Sequence, residues 1–182
     1  MEVGKTFYAK NRDVWRLWLS KNYNKKKEIW LIRYKKHSKK KTISYDAAVE
    51  EALCFGWIDS IVKPIDKDKT VQRYTPRRNN SPISEMNKER VRRLIKQGKM
   101  TPAGLEKIKS YMEEEFVMPI DLLDIIKKDK IVWDNFQKFP DYYKTIRVAF
   151  IEGARTRPEE FQRRLINFLK MTKQNKRFGI IR

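Results

Sequence analysis

The chain has 182 residues with 43 Lys or Arg against 23 Asp or Glu, which gives a formal net charge of +20. Hydrophobic residues make up 40% of the sequence and aromatic residues 12%, which is enough for a packed core and excludes wholesale disorder. The single cysteine excludes an internal disulfide, and one cysteine with one histidine argues against a zinc site of the His/Cys type.

The N-terminal part of the chain predicts a helix, a strand and a second helix. Asn11 is suited to cap the first helix, whose apolar residues recur at helical spacing. The run at 28–34 is β-branched and aromatic, which is typical of a buried strand. Ser44 is suited to cap the second helix, and Gly56 has the position of a glycine that ends one.

The apolar period changes from 3.6 to 2 at Trp57, which indicates a strand. Strict alternation places Trp57 and Asp59 on one side of that strand. Residues 57–63 and 70–75 flank a polar turn and predict an antiparallel hairpin, with the strand at 28–34 beside it.

The chain after Pro76 has helical spacing of its apolar residues. Thr101 followed by Pro102 is a strong start signal, because proline fits the first position of a helix. The tail from Thr172 to Arg182 is expected to fray. The predicted helices cover residues 84–97, 101–112, 119–126, a short segment with Trp133 and Phe136, 141–154 and 158–172.

These elements predict an α+β fold, in which a small antiparallel three-stranded sheet packs with helices and a helical C-terminal half comes after it. An acidic run near residues 113–119 marks the expected boundary between an α+β domain at 1–115 and a helical subdomain at 116–182. Apolar runs of about four residues are far too short for a membrane helix, so we expect no membrane span.

Several ordered segments of the chain resemble the YdeI/OmpD-associated family, also called bacteriocin-protection proteins. The most specific are EALCFGWID at 51–59, YTPRR at 74–78 and GKMTPAGL at 98–105. The resemblance spans about residues 7–170, and the stretch 119–169 is similar to the family's helical OmdA-type tail. It implies a bacterial, cytoplasmic protein with a protective role, and it supplies no catalytic residues.

Candidate catalytic groups are few. His37 lies within a lysine run, where neighbouring positive charge disfavours its protonated form, so we expect a solvated loop histidine. Cys54 lies near a helix C-terminus, which raises a thiol pKa, so we expect a buried, small apolar residue. Acid, base and nucleophile do not converge, so we predict no catalytic residue, metal or cofactor; an enzyme remains the least supported alternative.

The candidate ligand site runs from the hairpin to the helix after it. Asp59 is expected to pair across the hairpin with Arg73, Arg77 or Arg78, and two interpretations of such a pair stay open. It either fixes the hairpin, or forms the rim of a cleft that binds an anionic small molecule or an acidic protein partner. The predicted ligand-binding residues are Trp57, Asp59, Arg73, Arg77, Arg78, Ser84 and Asn87.

A nucleic-acid-associated protein is the alternative function. Residues 1–41 carry 14 basic and 3 acidic side chains, a net charge of +11, and such blocks attract phosphates. Tyr8, Tyr23 and Tyr34 are available to stack on bases. The predicted contacts for this alternative are Lys25, Lys26, Lys27, Lys39, Lys40, Lys41, Arg92 and Arg93.

Overall fold

A computed structural model of the chain describes residues 2–79 and 81–179. These residues form two compact units, Met1–Ile83 with Arg90–Glu113 and Ser84–Glu89 with Glu114–Arg182. The division into separate domains at residue 115 stays a prediction, because compactness alone does not establish that either part folds by itself. Among the described residues, helices are too short or too polar to cross a membrane.

The elements run from a sheet-rich first part to a helical second part. In chain order they are β1 (Thr6–Tyr8), α1 (Arg12–Asn22), β2 (Ile29–Tyr34), a 3₁₀ turn (Lys36–Ser38), α2 (Tyr45–Cys54), β3 (Trp57–Pro64), β4 (Lys69–Pro76), α3 (Glu85–Lys96), α4 (Pro102–Glu106), α5 (Lys109–Met112), α6 (Ile120–Lys127), α7 (Lys130–Lys138), α8 (Asp141–Glu152) and α9 (Pro158–Lys173).

The sheet of the first unit has the strand order β1-β2-β4-β3 in the described residues. Strand β4 is antiparallel to both β2 and β3, which confirms the hairpin and the strand beside it. The α+β class is confirmed, but the prediction of three antiparallel strands was wrong, because β1 adds a fourth strand parallel to β2. Three residues are too few to show an alternating pattern, so the sequence did not reveal β1.

Strand β3 contains an irregularity that strict alternation did not predict. Asp59 pairs with Tyr74, whereas Val62 pairs with Gln72, so β3 has one residue more than β4 over this stretch. An extra residue of this kind is a β-bulge and changes which face the subsequent side chains occupy. Ile61 and Val62 are consequently both exposed.

Capping residues begin the helices of the first unit where the sequence predicts them. The side chains of Asn11, Ser44 and Thr101 each accept a hydrogen bond from a backbone N–H of the first turn. Gly56 ends α2 with φ +72°, a conformation that suits glycine. The single helix predicted for 101–112 is two short helices, α4 and α5.

Helix α4 begins against the last turn of α2. Thr101 donates two hydrogen bonds to the Cys54 carbonyl, from its backbone N–H at 3.1 Å and from its hydroxyl at 2.6 Å. A Cβ at Gly104 would lie 2.2 Å from the same carbonyl oxygen, so only glycine permits this approach. The TPAG segment is therefore a packing motif between two helices.

The core of the first unit lies between one face of the sheet and its helices. Tryptophan rings dominate it, since Trp15 stacks on Trp18 with ring centroids 5.2 Å apart and Trp18 meets Trp57 edge-on at 5.8 Å. Other buried members come from every layer, namely Leu19, Ile29, Leu31, Ala48, Val49, Ala52, Leu53, Tyr74, Val91 and Leu94.

A buried carboxylate joins α1 to α2. Glu51 is 1% exposed, and its two oxygens accept hydrogen bonds from Arg12 Nη1 at 2.9 Å and Arg16 Nη1 at 2.7 Å. Arg16 also donates through Nη2 to the Lys99 carbonyl at 2.9 Å. Each oxygen of Glu51 thus has its own guanidinium partner, which offsets the cost of burying the charge.

The second unit is built from α6, α7, α8 and α9. Its core contains buried residues of all four helices, and Phe136 meets Phe168 edge-on at 6.1 Å. The expected fraying from Thr172 was wrong for the described part of the tail. Thr172 is buried in α9, and the backbone N–H of Phe178 donates to the Tyr143 hydroxyl at 3.0 Å. Residues 180–182 of that tail lie outside the described residues.

Removal of the Glu51 carboxylate is expected to destabilise the chain. Glu51→Ala leaves Arg12 with Glu50 alone and Arg16 with the Lys99 carbonyl alone, and we expect the free energy of unfolding to fall by about 1–3 kcal/mol. Denaturation with urea measures this value. Glu106→Ala, on the exposed surface of α4, is the control and should stay within about 0.5 kcal/mol of the wild type. Equal effects of the two substitutions would contradict the role given to Glu51.

Candidate functional site

The predicted site residues Trp57 and Asp59 lie on the core face of β3. The Trp57 ring is 1% exposed and its indole N–H donates to the Tyr23 carbonyl at 3.0 Å. It is therefore a core residue, although the sequence predicted it as a ligand-binding residue. A buried ring with a satisfied N–H stabilises the fold and is not available to a ligand.

Asp59 has partners other than the arginines that we expected. Its Oδ2 accepts from Tyr45 Oη at 3.1 Å and from Gln72 Nε2 at 2.6 Å. Tyr74 Oη donates in turn to Gln72 Oε1 at 3.3 Å. The expected pairing with Arg73, Arg77 or Arg78 was wrong, because β4 directs Gln72 rather than these arginines towards Asp59.

The network around Asp59 keeps its hydroxyl groups protonated. Burial, followed by the negative charge of Asp59, raises the pKa of Tyr45 to about 12. The same two causes raise the pKa of Tyr74 well above its ordinary value. The guanidinium groups of Arg33 and Arg90 lie 5.6 and 5.9 Å from the centre of the Tyr45 ring. The two hydroxyls consequently act as hydrogen-bond donors at neutral pH.

Other predicted site residues have structural partners or face solvent. Arg73 contacts Glu28 through Nε at 2.7 Å and Nη2 at 2.6 Å. Arg78 is exposed, and none of the ion pairs of the described residues includes it. Ser84 accepts from the backbone N–H of Asn87 at 3.3 Å, which is the capping role that the sequence indicates. Ser84 and Asn87 both belong to the second unit.

Arg77 is the most unusual of the predicted site residues. It is 2% exposed, and its guanidinium donates through Nη2 to the Ser81 carbonyl. Its Nε and Nη1 are buried and have no hydrogen-bond partner in the described part of the chain. Burial lowers the pKa of this guanidinium from its ordinary value. A buried cation without a carboxylate is costly, so Arg77 differs in kind from Arg73.

Lys107, directly after α4, and Tyr111 of α5 contact residues 77–79, which we call the Arg77 loop. Lys107 Nζ donates to the Asn79 side-chain oxygen at 2.5 Å, and the Tyr111 hydroxyl donates to the Asn79 carbonyl at 3.1 Å. The Tyr111 ring centre lies 5.9 Å from the Arg77 guanidinium. The sequence did not indicate Lys107 and Tyr111 as neighbours of this loop, because 28 and 32 residues separate them from Asn79 and local periodicity carries no signal over that distance.

The predicted nucleic-acid contacts are largely exposed. Lys25–Lys27 and Lys39–Lys41 face solvent, as do Arg92 and Arg93 on α3. Arg93 Nη2 lies 3.4 Å from Glu50. Lys40 Nζ lies 4.9 Å from the centre of the Tyr34 ring.

Two tyrosine rings of the sheet, Tyr34 and Tyr8, lie next to Lys40 and Lys41. Tyr34 meets Tyr8 edge-on with centroids 5.4 Å apart, and Tyr8 is 39% exposed. The Tyr8 hydroxyl donates to the Lys41 carbonyl. We call Tyr8, Tyr34 and Lys39–Lys41 the tyrosine–lysine patch, and it combines stacking surfaces with positive charge.

Cys54 is buried among apolar residues, as the sequence predicts. Burial, followed by the negative charge of Glu51, raises the pKa of its thiol to about 11. Among the described residues there is no group of three or more His, Cys, Asp and Glu side chains that could hold a metal ion.

Two family models match the chain. Residues 7–107, more than half of the chain, match the family described as a domain of unknown function (DUF8412). Residues 115–175 match the family described as bacteriocin-protection, YdeI or OmpD-associated, which confirms the predicted resemblance for that part of the chain. The segments EALCFGWID, YTPRR and GKMTPAGL lie in the first match. The chain matches none of the curated proteins and none of the solved structures.

The Cys54 thiol is expected to be inert in the folded chain. At pH 8 we expect it to react with a disulfide reagent roughly tenfold or more slowly than in urea, because burial keeps it protonated and inaccessible. Because the folded pKa lies above the ordinary value of 9.0, the thiol adds stability that is complete below about pH 9 and is lost as pH rises towards 11. Cys54→Ala should flatten this alkaline decline in unfolding free energy. Fast reaction in the native chain would contradict this interpretation.

Proposed function

The chain belongs to the DUF8412 family and carries a bacteriocin-protection, YdeI or OmpD-associated region at residues 115–175, and we propose that it is a bacterial, cytoplasmic, non-catalytic binding protein. Its ligand is an anion of the phosphate type. The binding site is the loop that begins at Arg77 and Arg78. The description of the second family names protection. A protein can protect by binding a molecule without catalysing a reaction on it.

The buried guanidinium of Arg77 carries this proposal. Its Nε and Nη1 groups are donors without an acceptor, and each would gain a charge-assisted hydrogen bond from an oxyanion. A single carbonyl, that of Ser81, accepts from its remaining nitrogen, and no carboxylate among the described residues pairs with Arg77. An anion that reaches Nε and Nη1 would remove the cost of this unpaired charge.

The neighbours of Arg77 favour an anion over a cation or a neutral ligand. Arg78 is exposed beside it, and Lys107 reaches the same loop through Asn79. Among the described residues, no carboxylate forms a hydrogen bond or ion pair with Arg77, Arg78 or Lys107. Three cations without a nearby carboxylate partner produce the local field that attracts a multiply charged oxyanion.

Arg77→Met is expected to separate binding from stability. The methionine keeps the apolar stem but removes the unpaired charge, so we expect an unfolding free energy equal to or above that of the wild type. Pyrophosphate affinity, measured by calorimetric titration at moderate salt, should fall at least tenfold, about 1.4 kcal/mol.

Arg73→Met is the matched control, because Arg73 lies on β4, the strand that ends directly before Arg77, and is neutralised by Glu28. It removes the same charge and should leave pyrophosphate affinity within about twofold, which separates the site from the general attraction of a chain of charge +20. Loss of stability without loss of binding in Arg77→Met would assign Arg77 a purely structural role.

The tyrosine–lysine patch favours single-stranded nucleic acid as a second candidate ligand. The rings of Tyr8 and Tyr34 offer faces or edges for bases, and the neighbouring Lys39–Lys41 run supplies positive charge for phosphates. This combination of ring and charge distinguishes the patch from Lys25–Lys27, which supply charge alone.

A salt titration with an oligothymidylate tests this second function. Replacing Lys39, Lys40 and Lys41 together by Gln should weaken binding and make the slope of log K against log salt shallower by about 2, since single strands lose about 0.7 per phosphate contact. The matched control replaces Lys25, Lys26 and Lys27 by Gln and should change the slope less. Identical slopes for both variants would contradict a specific role of the patch.

A further inference from the structure

We propose that a cavity in the second unit binds a small organic carboxylate with an apolar body, and that Arg147 is its ionic partner. The cavity has a volume of about 360 Å³ and lies among α8, α9 and the segment after α9. This volume falls within the range of small-molecule sites. Its walls include Arg147, Phe150, Arg164, Asn167, Phe168 and Phe178.

Arg147 is a buried cation without an acceptor. It is 6% exposed, and none of the hydrogen bonds or ion pairs of the described residues includes its guanidinium. Its Nε in particular is buried and has no hydrogen-bond partner in the described part of the chain. A guanidinium has five N–H donors, so an acceptor that enters the cavity would meet several unused donors.

Aromatic rings hold Arg147 but do not replace an acceptor. The guanidinium carbon lies 4.6 Å from the ring centre of Phe178, 5.6 Å from that of Tyr143 and 5.9 Å from that of Phe150. Such contacts are made over the ring faces and offset part of the cost of burial. The N–H bonds lie in the plane of the guanidinium and point along its edges, where a carboxylate accepts two of them at once.

The other charges at the cavity leave Arg147 uncompensated. Glu160 accepts from both Arg163 and Arg164, with Arg164 Nε at 2.6 Å. Arg164 also donates through Nη1 to the Phe150 carbonyl at 2.5 Å and lies 3.7 Å from the Phe150 ring centre. The residues that line the cavity include three arginines and one carboxylate, so the cavity has a net positive charge.

The walls select the class of anion. Three phenylalanine rings cannot satisfy the oxygens of a hydrated phosphate, but they favour the burial of an aromatic or branched apolar group. The net positive charge excludes a cation, and the in-plane donors of Arg147 match a planar carboxylate. The site is independent of the Arg77 loop, because it uses residues of the second unit alone.

Titration of the full chain with 3-phenylpropionate tests this proposal. The side-chain Nε–Hε signal of Arg147, identified by its loss in Arg147→Lys, should shift on addition of 3-phenylpropionate in a ¹H–¹⁵N spectrum. The uncharged 3-phenylpropanamide and inorganic phosphate are the two comparison ligands, and each should bind at least tenfold more weakly. The shift itself is measured on the wild-type chain, and Arg147→Lys serves only to assign the signal.

Two variants then locate the site. Arg147→Met should reduce 3-phenylpropionate affinity at least tenfold, whereas Arg157→Met, an exposed arginine of the same unit, should leave it within about twofold. An unshifted Arg147 signal at millimolar ligand overturns the proposal, as does an equal loss in both variants. Tighter binding of phosphate than of 3-phenylpropionate overturns the choice of an apolar carboxylate. If pyrophosphate affinity proved independent of Arg77, the proposed function would fail, but the 3-phenylpropionate results would stand.

Discussion

The double hydrogen bond of buried Glu51 with Arg12 and Arg16 fixes the first unit, because it ties α1 to α2 by charge as well as by packing. The C-terminal end of α2 in turn positions two later segments of the chain. Cys54 offers its carbonyl to Thr101, and Gly56 offers its carbonyl to the backbone N–H of Arg77 at 2.8 Å. The entry to the Arg77 loop is therefore set by the last turn of α2, and a shift of that helix would move the candidate anion site with it.

The arginines that pack against the interior have two different environments. Arg12 and Arg16 of α1, which are partly exposed, and the buried Arg90 face carboxylates, and their charge is compensated within the fold. Arg77 and Arg147 face aromatic rings and, for Arg77, one carbonyl, which stabilises the flat faces of a guanidinium but not its in-plane donors. A net charge of +20 is mostly a property of the exposed surface. At Arg77 and Arg147, however, the positive charge is buried, and their unused N–H donors are the groups that the proposed ligands would bind.

The sequence predicted features that depend on neighbouring residues and missed those that depend on distant ones. Asn11 and Ser44 predicted helix starts, since a cap contacts its own first turn. The bulge in β3 depends on register with β4, and the different exposure of Arg77 and Arg78 depends on contacts with α5, so neither has a local pattern. Arg147 did have a signal, because it lies four residues after Tyr143 on the buried stripe of α8, where an apolar residue would be expected.

The titratable groups of the first unit are consistent with the proposed binding role. Cys54 and Tyr45 have pKa values raised to about 11 and 12, so neither is a nucleophile or a base at neutral pH. Burial has the opposite effect on Arg77, since the loss of water around a guanidinium increases its demand for an anion without neutralising it. Apolar surroundings thus keep a thiol or a tyrosine protonated, whereas they strengthen the attraction of an arginine for an anion. Arg147, among its phenylalanine rings, is in the same situation as Arg77.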